Sequence, residues 1–381
     1  MDRQWDPDAE RAFWRRTGLP EPDRGVTFDW ERWRRASVPR MRRRVGSARF
    51  MAGAAAIMLA FIVSGAYLFT RTGGSRPHAM TGGPRVGLLD LAALAASGQT
   101  LYIASPDSNQ VDQLTKHGQV RRIAGTGQRG DAGNGGPAAD ATLNDPLAVA
   151  MAPNGTLYIA DTGNNQVRAI LPNGTLTTVA GTGRARGASQ GSARAVSIAK
   201  PVAVAPGPNA SLYIVDNTGV QVLALGRIRT FLRAGAGVTI GGVRVSLRPD
   251  AVAVNGAGDV LVADASPKLL IEFSPAGRVI TSWSVNVSEA GLSESPDGSV
   301  LVADQGTFSI DRVSHGRLST VAQFQRNGIV GLPGMVRPAA VVEEPGGALV
   351  VDTAGGSGTT QGAVVKWVHG KWLLVLKDAA R

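Results

Sequence analysis

The side chains that carry most enzyme chemistry are scarce in this chain. Its 381 residues include four histidines and no cysteine. That excludes thiol catalysis, disulfide scaffolds and zinc–cysteine centres, and it says nothing about redox compartment. His117, His315 and His369 are each followed by glycine. Asn173-Gly174 and Ala276-Gly277 occupy the matching places elsewhere, so these histidines read as hairpin-turn residues rather than converging ligands. His78 lies in a Gly- and Pro-rich stretch. Acids recur more regularly. Asp161, Asp216, Asp264, Asp304 and Asp352 each stand fifth in a similar segment, and Ser105 takes that place in a sixth. An aspartate at the end of a strand accepts backbone N–H groups of the following turn, which is the reading we expect. A cation site would need several oxygens within about 2.3–2.6 Å of one ion. Asp90, Asp145, Asp250, Glu289 and Glu343 lie in or beside apolar runs and are the other acids to weigh for such a site. No Gly-x-Ser-x-Gly elbow, Ser-x-x-Lys pair or phosphate loop is present, and AGTG at Ala124 and Ala180 leads into loop rather than helix.

The elements that would hold these residues repeat. LYIASPDSNQV from Leu101, LYIADTGNNQV from Leu157 and LYIVDNTGVQV from Leu212 are followed by VLVADASPKLL from Val260, VLVADQGTFSI from Val300 and ALVVDTAGGSG from Ala348. The spacing of 40 to 56 residues is that of propeller blades or solenoid units. Long 3.6-period stretches are missing, and short apolar runs alternate with turn residues instead. The second copy is clearest: strands over 147–151, 157–160, 167–171 and 176–180, with Asn154-Gly155 and Asn173-Gly174 as turns. Four antiparallel strands taken six times predict an all-β, six-bladed propeller over 86–381. The inner strands are runs of small apolar residues such as LAVAM and AVAV, as strands buried on both faces are. The first inner strand is expected within 86–95. The last blade holds all four of its strands, ending at 372–376, so closure needs no strand from the other terminus.

AGTG at Ala124, GNGGPA at Gly133, LNDP at Leu143, NGTLYIADTGNNQVR at Asn154 and the second AGTG at Ala180 resemble the bacterial NHL-repeat propellers. The resemblance is strongest over blades one and two. In blades four to six the strand and Asp pattern survives, but Asn164-Asn165 has no counterpart. It implies the propeller fold. Such propellers serve as interaction platforms, sensor domains and occasionally enzymes, so it does not by itself choose a function.

Ahead of the repeats stand three segments. Residues 1–49 hold 13 arginines, no lysine and eight acids, together with Trp5, Phe13, Trp14, Phe28, Trp30 and Trp33. Short helices are expected at 7–17 and 30–36, in a tail that is either disordered or docks on a partner. Residues 50–70 are uncharged and apolar. At about 1.5 Å per residue they span a bilayer core of roughly 30 Å. Arg40, Arg42, Arg43, Arg44 and Arg49 precede the run, and only Arg71, Arg76 and Arg85 follow within 15 residues. This imbalance predicts a single-pass membrane protein with its N-terminus in the cytoplasm and its propeller outside. A cleaved signal peptide is the rival; starting at Met41 would give it a normal basic leader. Residues 71–85 form a Gly/Pro/Ser-rich linker.

The longest connections, 125–145, 181–200 and 234–249, all lie among the first blades. Closing a blade takes few residues, so their length has no evident packing reason, and long loops on a rigid scaffold are where binding resides. One is basic, with Arg184, Arg186 and Arg194. Its neighbour is more acidic, with Arg129 and Asp131. These five are the candidate binding residues. The expectation is a non-catalytic binding module for a protein or cell-envelope polymer. No cofactor and no nucleic acid are expected. The lipid bilayer is met through 50–70, and the tail offers a surface to a cytoplasmic partner. The alternative is a membrane-tethered hydrolase or lyase with a divalent cation in the central channel.

Overall fold

The computed structural model describes residues 93–115, 119–186, 190–287, 291–324, 337–344, 346–354, 363–368 and 371–377. All lie in one unit, Pro84–Arg381. Blade 1 is β1 (Ala93–Ser97), β2 (Thr100–Ser105), β3 (Gln110–Leu114) and β4 (Val120–Ala124). Blade 2 is β5 (Pro146–Met151), β6 (Leu157–Asp161), β7 (Gln166–Ile170) and β8 (Leu176–Ala180). A two-residue strand, β9 (Gly191–Ser192), precedes blade 3, which is β10 (Ala203–Pro206), β11 (Leu212–Asp216), β12 (Gly219–Ala224) and β13 (Arg227–Arg233). The hairpin β14 (Gly237–Ile240) and β15 (Val243–Ser246) leads to blade 4: β16 (Ala251–Val254), β17 (Val260–Asp264), β18 (Leu269–Phe273) and β19 (Val279–Ser284). Blade 5 is β20 (Leu292–Glu294), β21 (Val300–Asp304), β22 (Ser309–Ser314) and β23 (Arg317–Gln323). Blade 6 is β24 (Arg337–Glu344), β25 (Ala348–Ala354), β26 (Ala363–Val368) and β27 (Lys371–Lys377).

Every blade is an antiparallel meander in chain order, and the expected six-bladed propeller is what forms. The first strands touch in a closed circle, β1–β5–β10–β16–β20–β24 and back to β1. They are small and apolar because each packs against a blade on either side: all four residues of β16 are buried. Closure is apolar too, with Leu94, Ile103 and Leu114 of blade 1 against Val342, Val350 and Val364 of blade 6. The last blade supplies all four of its own strands, as expected. β1 (Ala93–Ser97) overlaps the expected window 86–95, of which 86–92 lie outside the described residues. Its register is fixed by the tight turn that sets Ser97 opposite Thr100.

One expectation is corrected. The long connections do have packing reasons. Residues 133–138 run along the outer edge of blade 2: Gly135 N–H donates to Leu176 O at 2.7 Å, Leu176 N–H to Gly136 O at 2.9 Å, and Ala138 N–H to Gly174 O at 3.0 Å. In the next connection β9 pairs with β13, setting Ser192 opposite Arg227 and making blade 3 five-stranded. The third connection folds into β14–β15, which touches β19 at the edge of blade 4. Each long connection therefore meets the edge strand of the blade that follows. An uncovered edge offers a row of free N–H and C=O groups to any other chain.

The expected tail helices, the apolar run 50–70 and the linker 71–85 lie outside the described residues. Among the described residues no helix is long and apolar enough to cross a membrane.

Candidate functional site

The recurring aspartates do more than cap their own turns. Asp216 Oδ1 accepts Thr218 N–H at 2.8 Å, and its Oδ2 accepts Ala199 N–H at 3.2 Å. Asp264 accepts Ser266 N–H at 2.9 Å and Arg248 N–H at 2.6 Å. Asp304 accepts Gly306 N–H at 2.7 Å and Asn286 N–H at 3.2 Å. Asp161 accepts Asn144 N–H at 2.8 Å. In each case a buried carboxylate ties the incoming connection to the turn between second and third strands. That places these turns and the connections on one face. The side chain of Asp352 lies outside the described set.

A second tie joins consecutive blades. Asn109 and Asn165 close the second turn of blades 1 and 2 with φ of 52° and 51°, a left-handed conformation that asparagine tolerates. Asn109 Oδ1 accepts Asp145 N–H at 3.0 Å, and Asn165 Oδ1 accepts Lys200 N–H at 3.0 Å. The first glycine of each AGTG lies against the same turn. A Cβ on Gly181 would stand 2.5 Å from Asn165 O, and one on Gly125 would collide with Asn109 O. The NNQV and AGTG motifs are thus the two halves of one joint.

Behind this face sits a buried ion pair that the sequence reading missed. Arg168 and Asp161 are both fully buried, with Nη1 3.4 Å from Oδ2. Asn164 Nδ2 bridges Asp161 Oδ2 at 2.8 Å and Gly130 O at 2.6 Å. Arg168 Nη1 also donates to Asp131 O at 3.4 Å, while its Nε and Nη2 find no partner among the described residues. Burial pushes the Asp161 carboxyl up to about 6, against the lowering effect of these hydrogen bonds and of Arg168. Asp112, Gln221 and Asp311 occupy the same place in blades 1, 3 and 5, each opposite an apolar residue of the second strand; Ile271 and Val365 take it in blades 4 and 6. Aligning third strands, as the second strands were aligned, exposes this series.

The five residues singled out from sequence are all exposed; four lie on the connection face and Arg194 stands apart from them. Arg129 bridges Leu143 within its own connection. Asp131 lies beside it and lends its carbonyl to Arg168. Arg184 and Arg186 follow Gly183, which lies near Asn164 O and Gln166. Arg194 turns to the rim, where its Nη2 donates to Thr177 Oγ1 of β8 at 3.2 Å. Arg40, Arg42, Arg43, Arg44 and Arg49 are outside the described residues.

The channel acids are also dispersed. Asp250 Oδ2 accepts Ala265 N–H at 2.7 Å, and Glu343 pairs with Arg312 at 2.8 Å. Asp145 has its N–H held by Asn109, while Asp90 and Glu289 lie outside the described set. Among the described residues no three His, Asp or Glu side chains are grouped to hold a metal. His315 has a φ of 51° ahead of Gly316, the hairpin role expected of it; His78, His117 and His369 are not described.

Residues 86–171 match the family described as "Teneurin NHL domain". Teneurin-1 of Mus musculus is 37% identical over 86 residues, 19% of this chain and 3% of that protein. Teneurin-3 of Danio rerio is 31% identical over 142 residues, 34% of this chain and 4% of that protein. The matches therefore span only a few per cent of those relatives' length. Among solved structures, virginiamycin B lyase from Staphylococcus aureus aligns over 75% of this chain and 94% of its own at 10% identity and TM-score 0.45. A putative gluconolactonase aligns over 74% and 92% at 14% identity and TM-score 0.47. These two likenesses carry no argument about activity.

Proposed function

We propose that this chain, an NHL-repeat propeller, is a membrane-tethered binding module that meets a protein or cell-envelope polymer outside the cytoplasm. The observation that carries the reading is the state of the described residues of the connections 125–145 and 181–200. Their backbones are tied to blades by Asn109, Asp161, Asn165 and Asp216, yet Arg129, Asp131, Arg184 and Arg186 stand exposed on them. Charged groups on an immobilised backbone lose little conformational freedom on binding, which is what a recognition surface needs. The tether is residues 50–70. It is supported by their apolar length and by Arg40, Arg42, Arg43, Arg44 and Arg49 on one flank. Residues 1–49 then face the cytoplasm, where their tryptophan-rich sequence would meet a partner.

The test is capture from membrane extract by the full chain and by an Arg129→Ser/Arg184→Ser/Arg186→Ser variant of unchanged fold. Loss of a specific protein or polymer in the variant supports the reading. Equal recovery of everything bound overturns this face as the site.

A further inference from the structure

We propose that the rim of blade 3 docks on an anionic lipid surface, with Leu225 entering the headgroup layer and arginines meeting phosphates. The inference rests on the tether proposed above and concerns a different surface from the partner face.

Charge is divided unevenly around the ring. Residues 181–249 carry nine Lys or Arg and one acid, Asp216, which is buried. Residues 250–324 carry nine acids and four Lys or Arg. The pairing of β9 with β13 draws two basic segments together. Ser192 stands opposite Arg227, and Ala193 N–H donates to Gly226 O at 2.9 Å. Arg194 is thereby brought within a residue of the turn Leu225-Gly226, and Arg227 and Arg229 continue along β13, all of them exposed. Among the described residues none of these arginines is in a salt bridge.

Leu225 is the second observation. It is 97% exposed and sits at φ 51°, followed by Gly226 at 71°. The residues on either side, Ala224 and Arg227, are paired, so this is a two-residue hairpin in which both residues are left-handed. Asn-Gly is the preferred sequence there, because asparagine bears positive φ better than an aliphatic side chain does. A leucine at that position suits neither the turn nor water. It suits an apolar boundary just beyond the chain. A projecting apolar side chain with Arg194 and Arg227 beside its turn matches the interface of an anionic bilayer, where phosphate lies at the surface and hydrocarbon a few ångströms below.

The chain has no cysteine, so Leu225→Cys gives a unique site for an environment-sensitive fluorophore. The full-length variant is reconstituted into vesicles of phosphatidylcholine alone or mixed with phosphatidylglycerol. Docking predicts a blue-shifted emission, quenchable from within the bilayer, in the mixed vesicles. High salt should reverse it, and so should Arg194→Ser/Arg227→Ser/Arg229→Ser. The same label at exposed Ser319 of β23 should stay water-like in both. Chain that floats with vesicles while the label at 225 stays water-like overturns the docking and leaves the tether standing. Chain that floats with neither vesicle overturns both. An equal shift in neutral vesicles, or in the arginine variant, overturns the phosphate contacts. Soluble polyphosphate that abolishes the shift by binding the arginines more tightly than the mixed vesicles do would replace the bilayer with a free polyanion and overturn the proposal.

Discussion

Arg168 is the residue on which the interior of blade 2 turns. At neutral pH, truncating Arg168 leaves the buried Asp161 carboxylate without its ion-pair partner. Arg168→Ala should cost about 3–5 kcal/mol by urea unfolding, while Asp161→Asn/Arg168→Met, which removes both charges, should recover most of it. The same region sets the pH dependence. Burial raises the carboxyls of Asp112, Asp161, Asp250, Glu272 and Asp311, with Asp161 reaching about 6. An acid raised in the folded state binds more protons there than in the unfolded chain. Its stabilising effect is complete below the unfolded value near 4 and fades as pH climbs through the folded one. Asp297, lowered chiefly by its hydrogen bonds from Ser299, works the other way, losing its contribution only as pH falls below the ordinary carboxylate range. The melting temperature of the propeller should therefore be higher at pH 5 than at pH 7.5. The Asp161→Asn variant should show a shallower slope; an unchanged slope would remove Asp161 from the account. None of this was legible in advance at Arg168. An arginine in QVRAI reads as the polar side of a half-exposed strand, and only the packing of blade against blade buries it.

Among the elements, the joint between consecutive blades makes the sharpest demands. Gly181 has a φ of 95° and no room for a Cβ beside Asn165 O. Gly181→Ala should lower stability by about 1–3 kcal/mol, the range for a strained backbone position, whereas the same change at Gly277, with open space around it, should cost less. A calorimetric comparison of the two checks this. Strand identity, the Asn-Gly turns and the small inner strands were readable because period-two burial and turn chemistry are local properties. The use of the long connections was not. GNGGPA carries few side chains, and an edge is covered by backbone N–H and C=O groups, which every sequence possesses. Its glycines permit close approach to β8. Replacing 131–141 with a short Gly/Ser linker should leave circular dichroism nearly unchanged yet promote association measurable by light scattering, because the edge of blade 2 becomes free.

For the molecule as a whole, orientation is the first matter. If the proposed topology holds, protease added to intact cells should remove the propeller and spare residues 1–49. Protection of the propeller would overturn the outward topology. The fold was largely legible at this scale from six copies spaced 40 to 56 residues apart. The placement of the candidate residues was legible only in part, since Arg129, Asp131, Arg184 and Arg186 share the connection face while Arg194 belongs to the rim with β13. The overlap of each long connection with the following blade has one more consequence. A blade and the cover on its edge are separated in the sequence by the inner strands, so a cut placed before blade 2, 3 or 4 would divorce a sheet from its own border. Blade 5 is a plain four-stranded sheet reached by a short lead-in. If new termini were opened by circular permutation, the gap between β19 and β20 should bear them better than the long connections before blades 2, 3 and 4. By the same logic, the unit that can be copied intact is a blade together with the segment that precedes it.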